Sequence, residues 1–206
     1  MNIPLFPLGS TLFPDGLLAL KIFEVRYLDM IKACFKTGAP FGVVTLNRGG
    51  EVRIPGKEIA FSEVGTLAHI VEFEAVQPSL FMIRCHGGQR FKVLESTLAP
   101  NGAWSADIEL ISEDPLIEVP PELTTTSQAL ARLMDSFDEQ EIPAEDRPIV
   151  APYRLNDCGW IANRWAELLD IPPAQKLHLL AMENPRLRLD LVQEILEEMG
   201  AFKPPR

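Results

Sequence analysis

Three histidines and three cysteines are the residues of this 206-residue chain best suited to bind a metal or act as nucleophiles. They are His69, His86, His178, Cys34, Cys85 and Cys158. Only Cys85 and His86 are close in sequence, and adjacent residues of a strand point to opposite faces of a sheet. The spacing therefore predicts neither a metal centre nor a Cys–His catalytic pair, and we expect no cofactor.

The sequence contains no motif that indicates enzyme activity. The phosphate-binding Gly-x4-Gly-Lys-Ser/Thr loop, the Gly-x-Ser-x-Gly elbow, the His-Glu-x-x-His helix and Cys-x-x-Cys do not occur. Glu72 and Glu74 alternate along a strand, which a solvated strand face explains without catalysis. We interpret His69, on the apolar face of the same strand, as a hydrogen-bonded core residue. The chain is therefore expected not to be an enzyme.

The charge and the cysteine pattern limit the class of partner and the compartment. The formal net charge is −10. Residues 1–118 hold 10 basic and 14 acidic residues, and 119–206 hold 9 and 15, which add up to the 19 and 29 of the whole chain. Because neither half is basic, nucleic-acid binding is disfavoured. No apolar run can span a bilayer, and the N-terminus does not resemble a signal peptide. Three scattered cysteines indicate buried thiols in the cytoplasm.

Alternating apolar residues predict several short strands within the first 111 residues. These runs are Phe41–Leu46, Gly65–Val76, Phe81–Cys85, Phe91–Val93 and Trp104–Leu110. In the second run, Leu67, His69, Val71, Phe73 and Ala75 are predicted to share one face. Gly87-Gly88 is predicted to form a turn, and Glu51–Ser62 a surface loop. One helix is predicted to begin near Glu24 and to end at Gly38.

Helical patterns dominate after the acidic, proline-rich segment Glu118–Glu122. Helices are predicted near Thr126, after Asn156 or Asp157, after Pro173 and from Asn184-Pro185, which combines an N-cap with a first-turn proline. The last helix is predicted to direct Leu187, Leu191, Val192, Ile195 and Met199 inward. These patterns divide the chain into domains at 1–118 and 119–206.

The N-terminal segment resembles the opening of Lon protease N-terminal domains. Ile3–Ser10 (IPLFPLGS), Leu12–Gly16 (LFPDG) and Leu18–Tyr27 (LALKIFEVRY) follow the family pattern PLFPLxxxLFPGxxLPLxIFEPRY in order. Shorter matches continue along the chain at FGVV (41–44), EVGTLA (63–68), GQRFKV (88–93), WAELL (165–169), QKLHLL (175–180) and RL (186–187). The departures are Asp15 for the usual glycine, and Ala19 and Val25 for prolines.

The resemblance implies an α+β fold in which a PUA-like β-barrel with one inserted helix (1–118) precedes an α-helical bundle (119–206). It also implies a non-catalytic module that binds proteins or peptides, because the 206 residues contain no ATPase or Ser-Lys peptidase module. The expected partners are unfolded or specific proteins, and a separate protease is a further candidate. A small-molecule sensor or an unrecognised hydrolase is the alternative, and a PUA-like RNA-binding module is less favoured.

The residues within the matched motifs are the candidate partner-binding residues. They are Phe6, Phe13, Glu24, Arg26, Tyr27 and Arg90. For each of them a structural role is the favoured interpretation: Phe6 and Phe13 in the core, Glu24, Arg26 and Tyr27 at the start of a helix, and Arg90 beside a turn. A groove between barrel and bundle is the expected peptide site.

Overall fold

The computed structural model describes residues 1–48, 50 and 59–202 and shows an α+β fold. Its strands are β1 (Asn2–Leu8), β2 (Leu17–Ile22), β3 (Phe41–Arg48), β4 (Ala60–Gln77), β5 (Leu80–Leu98) and β6 (Trp104–Leu110). Its α-helices are α1 (Val25–Thr37), α2 (Thr124–Glu139), α3 (Cys158–Leu168), α4 (Pro173–Ala181) and α5 (Pro185–Glu198). Within these described residues, no helix has the length and apolarity needed to cross a membrane.

The chain forms two compact units. The N-terminal unit comprises Met1–Glu113 and Pro172–Leu180, so it contains all six strands, α1 and nearly all of α4. The C-terminal unit comprises the described residues 114–171 and 181–202, with α2, α3 and α5. The division at residue 118 into a PUA-like barrel and a helical bundle stays a prediction.

The six strands form one sheet in the order β2-β5-β4-β3-β1-β6, and β6 also pairs with β5. Five strands are thus paired in a cycle, whereas among the described strands β2 pairs only with β5. Pro4 lies opposite Ser105 of β6 and Pro7 opposite Val44 of β3, so each proline has a paired neighbour on one side only. This placement suits a residue that has no N–H to donate.

Helix α1 follows the predicted bounds closely. Its apolar positions recur every three or four residues, and Tyr27, Leu28, Ile31 and Cys34 are buried. Gly38 ends the helix with φ of 70°, a left-handed conformation that glycine adopts without strain. The buried side chains pack with Phe6, Phe41, Phe81, Ile83 and Cys85 in the larger core of the N-terminal unit.

The predicted face of β4 is wrong because the strand contains β-bulges. Its pairing with β5 shifts between Thr66 and Ala68 and again between Ile70 and Glu72. At the first shift the extra residue lies in β5. At the second it lies in β4, where it reverses which side chains of β4 face inward. Ala68, Ile70 and Phe73 therefore pack against the core, while Val71 and Ala75 are exposed.

His69 is consequently exposed rather than a core residue. It lies directly opposite His86 of β5.

The predicted turn at Gly87-Gly88 is also wrong, since both glycines lie inside the continuous strand β5. A Cβ atom at residue 87 would lie 2.1 Å from the carbonyl oxygen of Phe13. The glycine therefore allows the 13–16 turn to approach β5 and to exchange backbone hydrogen bonds with it. Of the predicted loop at Glu51–Ser62, the last three residues belong to β4, and 51–58 lie outside the described residues.

The C-terminal unit is built around α3, whose first nine residues are all buried. The carboxylate of Asp157 caps this helix by accepting from the N–H of Gly159 at 3.0 Å. Asn184 caps α5 as predicted, accepting from the N–H groups of Arg186 and Leu187.

The inward face of α5 differs from the predicted one. Pro185, Arg188, Leu189, Val192 and Leu196 are buried, whereas Leu187 and Met199 are 55% exposed. The face includes an arginine because Arg188 is paired with Asp114. A buried charge that is paired and hydrogen-bonded can occupy a position that hydrophobicity alone would assign to leucine.

Candidate functional site

The six candidate residues all lie in the N-terminal unit, and five are buried. The buried five are Phe6, Phe13, Arg26, Tyr27 and Arg90, while the side chain of Glu24 is 22% exposed. Their part in partner binding stays a prediction. Buried side chains such as these offer little surface for direct contact with a partner.

Four of the candidates form a cluster where β2 leads into α1. The rings of Phe6 and Tyr27 stack with centroids 4.1 Å apart. The guanidinium of Arg26 lies 4.5 Å from the Tyr27 ring centroid and 2.9 Å from the carboxylate of Glu24. Its Nη1 also donates to the carbonyl oxygen of Gly102 at 3.1 Å. These contacts fix the chain direction between the strand and the helix.

The backbone at Glu24 explains why the helix begins there. Glu24 is extended (φ −77°, ψ 127°), and its carbonyl oxygen accepts from the N–H groups of Tyr27 and Leu28. Its carboxylate bonds to Arg26 instead of capping the helix. The side chain therefore holds the cluster together at a helix N-terminus, where a negative charge is favourable.

Phe13 and Arg90 make other contacts. Phe13 belongs to the turn that packs on Gly87, and its side chain is fully buried. Arg90 of β5 donates from Nη1 to the carbonyl oxygen of Leu180 at 2.7 Å, and its own carbonyl accepts from the N–H of Ile111. Arg90 thus joins the end of α4 and the segment after β6 to the sheet.

Two exposed apolar residues lie beside this cluster along the chain. Phe23 is 56% exposed and Val25 is 78% exposed, while Ile22 beside them is 1% exposed. Phe23 belongs to the IFE segment of the matched motif, but its residue type and position in the sequence do not indicate that it is exposed. Large apolar side chains held in a fixed exposed position are suited to protein contact.

Two kinds of group among the described residues could carry covalent or metal chemistry, namely the cysteine thiols and clusters of metal ligands. All three cysteines are free and buried, as predicted. Burial, with a smaller contribution from Cys34, raises the pKa of the Cys85 thiol to about 12, which opposes formation of the thiolate nucleophile. Across the described residues, no three His, Cys, Asp or Glu side chains are grouped so that they could hold a metal ion.

Comparison with known proteins identifies the family. The model of the ATP-dependent protease La (LON) substrate-binding domain matches residues 2–198. The chain therefore belongs to this family, and the resemblance of its motifs is confirmed. None of the curated proteins matches the chain.

Two solved structures share this fold. A Lon N-terminal domain protein from Xanthomonas campestris is 28% identical, with 99% of each chain covered and a TM-score of 0.71. The N-terminal domain of the Mycobacterium avium complex Lon protease is 16% identical, covering 96% of this chain and 99% of that chain, with a TM-score of 0.60. At this identity the second similarity concerns the fold alone.

Proposed function

We propose that this protein is a non-catalytic module that binds unfolded or specific protein partners through the exposed apolar residues between β2 and α1. Membership of a substrate-binding domain family supports recognition of proteins. The observation that carries the proposal is the exposure of Phe23 and Val25 directly beside the buried cluster at the motif. A rigid support lowers the entropy lost on binding, so the buried candidates contribute by holding these residues in place.

The same proposal extends to architecture and compartment. The cyclic pairing of five strands supports a PUA-like barrel in the N-terminal unit, and the packing of α3 against α5 supports a helical bundle in the C-terminal unit. Three free, buried cysteines support a reducing compartment such as the cytoplasm. A separate protease that receives the bound protein is the further partner that we propose.

Binding of unfolded casein, measured by fluorescence anisotropy, tests the proposal. Phe23→Ser and Val25→Ser each remove exposed apolar area and should weaken binding about tenfold, which corresponds to roughly 1.4 kcal/mol. Leu187→Ser and Leu116→Ser are the matched controls, because these leucines are 55% and 71% exposed in the C-terminal unit. All four variants should retain the unfolding midpoint of the wild type.

The casein-binding measurement and the comparison of variants with controls can each contradict a different part of the proposal. If this protein binds casein no more strongly than an unrelated acidic protein does, the proposed function itself is rejected. Equal weakening by the controls would mean that casein adheres to any exposed apolar residue, and would reject the assignment to Phe23 and Val25.

A further inference from the structure

Strand β2 has an edge to which an additional strand could be added. It pairs with β5 through residues 17–22, and no strand of the described residues pairs with its other side. The backbone N–H and C=O groups on an open edge can hydrogen-bond to another extended chain. Such a chain would lie beside the segment that continues directly into Phe23.

The side chains of β2 give this edge two different faces. Leu18 and Leu20 are half-buried and pack against the core, while Ala19 and Lys21 on the opposite face are exposed. An added strand would alternate in the same way, with apolar side chains beside the two leucines. The alternate side chains of the added strand would lie on the opposite face, which carries Lys21.

Lys21 makes no ion pair with a described residue, and it lies on a protein of net charge −10. Its cross-strand neighbour is the apolar Met82, and the next position of β5 on this face is Arg84. Arg84 is paired with Glu72 at 3.7 Å. The edge therefore presents one cation that a partner strand can neutralise with a carboxylate. Opposite charges placed across neighbouring strands stabilise their pairing.

We propose, on the basis of the proposed function, that β2 binds an extended acidic-apolar peptide segment by adding it to the sheet. The segment alternates apolar residues, which lie beside Leu18 and Leu20, with polar residues that include an Asp or Glu opposite Lys21. Backbone hydrogen bonds along β2 hold the segment, and Lys21 selects for the acidic residue. Phe23 and Val25 extend the apolar contact beyond the strand.

The first experiment reverses the charge in the peptide and, separately, the charge at residue 21 of the protein. Two labelled peptides, Gly-Ser-Leu-Ser-Val-Glu-Val-Ser-Leu-Ser-Gly and the same peptide with Lys in place of Glu, are titrated with the full chain. The wild type should prefer the Glu peptide about 2- to 5-fold, the size expected for exposed ion pairs. The titration is done at about 0.15 M salt, which screens the net charge of −10 beyond about 8 Å. Lys21→Glu should invert that preference, and Arg132→Glu, an exposed site on α2, should leave it unchanged.

The second experiment tests the backbone contact. In an added strand, alternate peptide N–H groups point toward β2 and away from it. N-methylation of one alternate set should therefore abolish binding of the Glu peptide, whereas N-methylation of the other set should change affinity little. Equal effects of the two sets would overturn the proposal, and so would a charge preference that Lys21→Glu leaves unaltered.

These outcomes separate the inference from the proposed function. Suppose that both peptides bind and that Phe23→Ser lowers their affinity, while Lys21→Glu and the choice of N-methylated set have no effect. Pairing with β2 is then wrong, and recognition through exposed apolar residues stands. Absence of binding by peptides and casein alike would reject both. Sedimentation could instead show a homodimer that Lys21→Glu disrupts and that the Glu peptide does not dissociate. That result would assign the edge to a second copy of the chain and overturn the peptide proposal.

Discussion

The carbonyl oxygen of Phe13 lies only 2.1 Å from the place that a Cβ atom of residue 87 would occupy. The two chain segments are joined by hydrogen bonds from Asp15 N–H to the Gly87 carbonyl oxygen and from Gly87 N–H to the Gly16 carbonyl oxygen, each 2.8 Å long. The absence of a side chain at residue 87 is thus a condition for the turn that precedes β2.

We expect Gly87→Ala to lower the free energy of unfolding by about 1–3 kcal/mol, the usual cost of overpacking, because backbone has to move. Gly88→Ala is the control, since a Cβ there meets the imidazole of His69, an exposed side chain that can rotate away. Urea denaturation of the two variants checks the difference. Equal destabilisation would show that the turn readily moves away from β5.

Asp15 adopts a left-handed backbone conformation in the same turn, with φ of 61°. This conformation is strained for residues with a Cβ atom, and the family pattern has glycine at this position. We expect Asp15→Gly to be more stable than Asp15→Ala by about 1 kcal/mol. The comparison is matched because both variants remove the carboxylate, so only the backbone preference differs. Thermal unfolding should give the higher midpoint for the glycine variant, and the reverse order would contradict the strain.

Local signals in the sequence were sufficient for elements that depend on neighbouring residues. The bounds of α1 followed from apolar spacing and Gly38, and the start of α5 from Asn184-Pro185, because helix spacing and capping act within a few residues. The faces of β4 could not be predicted, since its bulges become apparent only when β5 is paired beside it. Likewise, the burial of Arg188 depends on Asp114, which is 74 residues away in sequence.

The sequence motif brought together residues that form one cluster, but it did not indicate which neighbouring side chains are exposed. The motif between β2 and α1 identified Glu24, Arg26 and Tyr27, and the structure places them in one cluster with Phe6. Which residues of that motif face solvent depends on how α1 packs on the sheet. Composition and spacing do not contain that information, so the exposed Phe23 was passed over in favour of its buried neighbours.

Burial of the Cys85 thiol should make the stability of the protein fall at alkaline pH. The pKa of this thiol is raised from 9.0 to about 12 in the folded chain, chiefly by desolvation. Between these two values the unfolded thiol loses its proton while the folded thiol keeps it, so unfolding is favoured increasingly as the pH rises. The expected loss from this group is roughly 1 kcal/mol per pH unit above pH 9.

Cys85→Ala removes this dependence, although it carries its own constant cost of lost packing. Chemical denaturation of both proteins between pH 8 and about pH 10.5, a range chosen to lie below the folded pKa, should show the stability difference shrinking as the pH rises. In the native wild type, thiol-specific reagents should react much more slowly with Cys85 than after unfolding. A pH-independent difference would contradict the raised pKa.

Removing Arg188 from its ion pair with Asp114 should cost more stability than removing an arginine from an exposed pair on the same helix. The Arg188 side chain is fully buried, and its Nη1 and Nη2 lie 2.5 Å and 3.2 Å from the two carboxylate oxygens of Asp114. Nη1 also donates to Oδ1 of Asn163 at 3.1 Å, and Nη2 donates to the carbonyl oxygen of Met182. Replacing Arg188 by Leu leaves these acceptors without their donor inside the C-terminal unit. We expect a loss of about 3–5 kcal/mol in the free energy of unfolding.

Arg186→Leu is the matched control on the same helix. Arg186 pairs with Glu122 at 2.7 Å, but the two side chains are 50% and 57% exposed. Water and salt screen such a pair, so its loss should cost less than about 1 kcal/mol and should diminish further at high ionic strength. Urea denaturation at low and high salt measures both variants. Similar costs for Arg188→Leu and Arg186→Leu would mean that water reaches Asp114, whose side chain is 16% exposed, once Arg188 is removed.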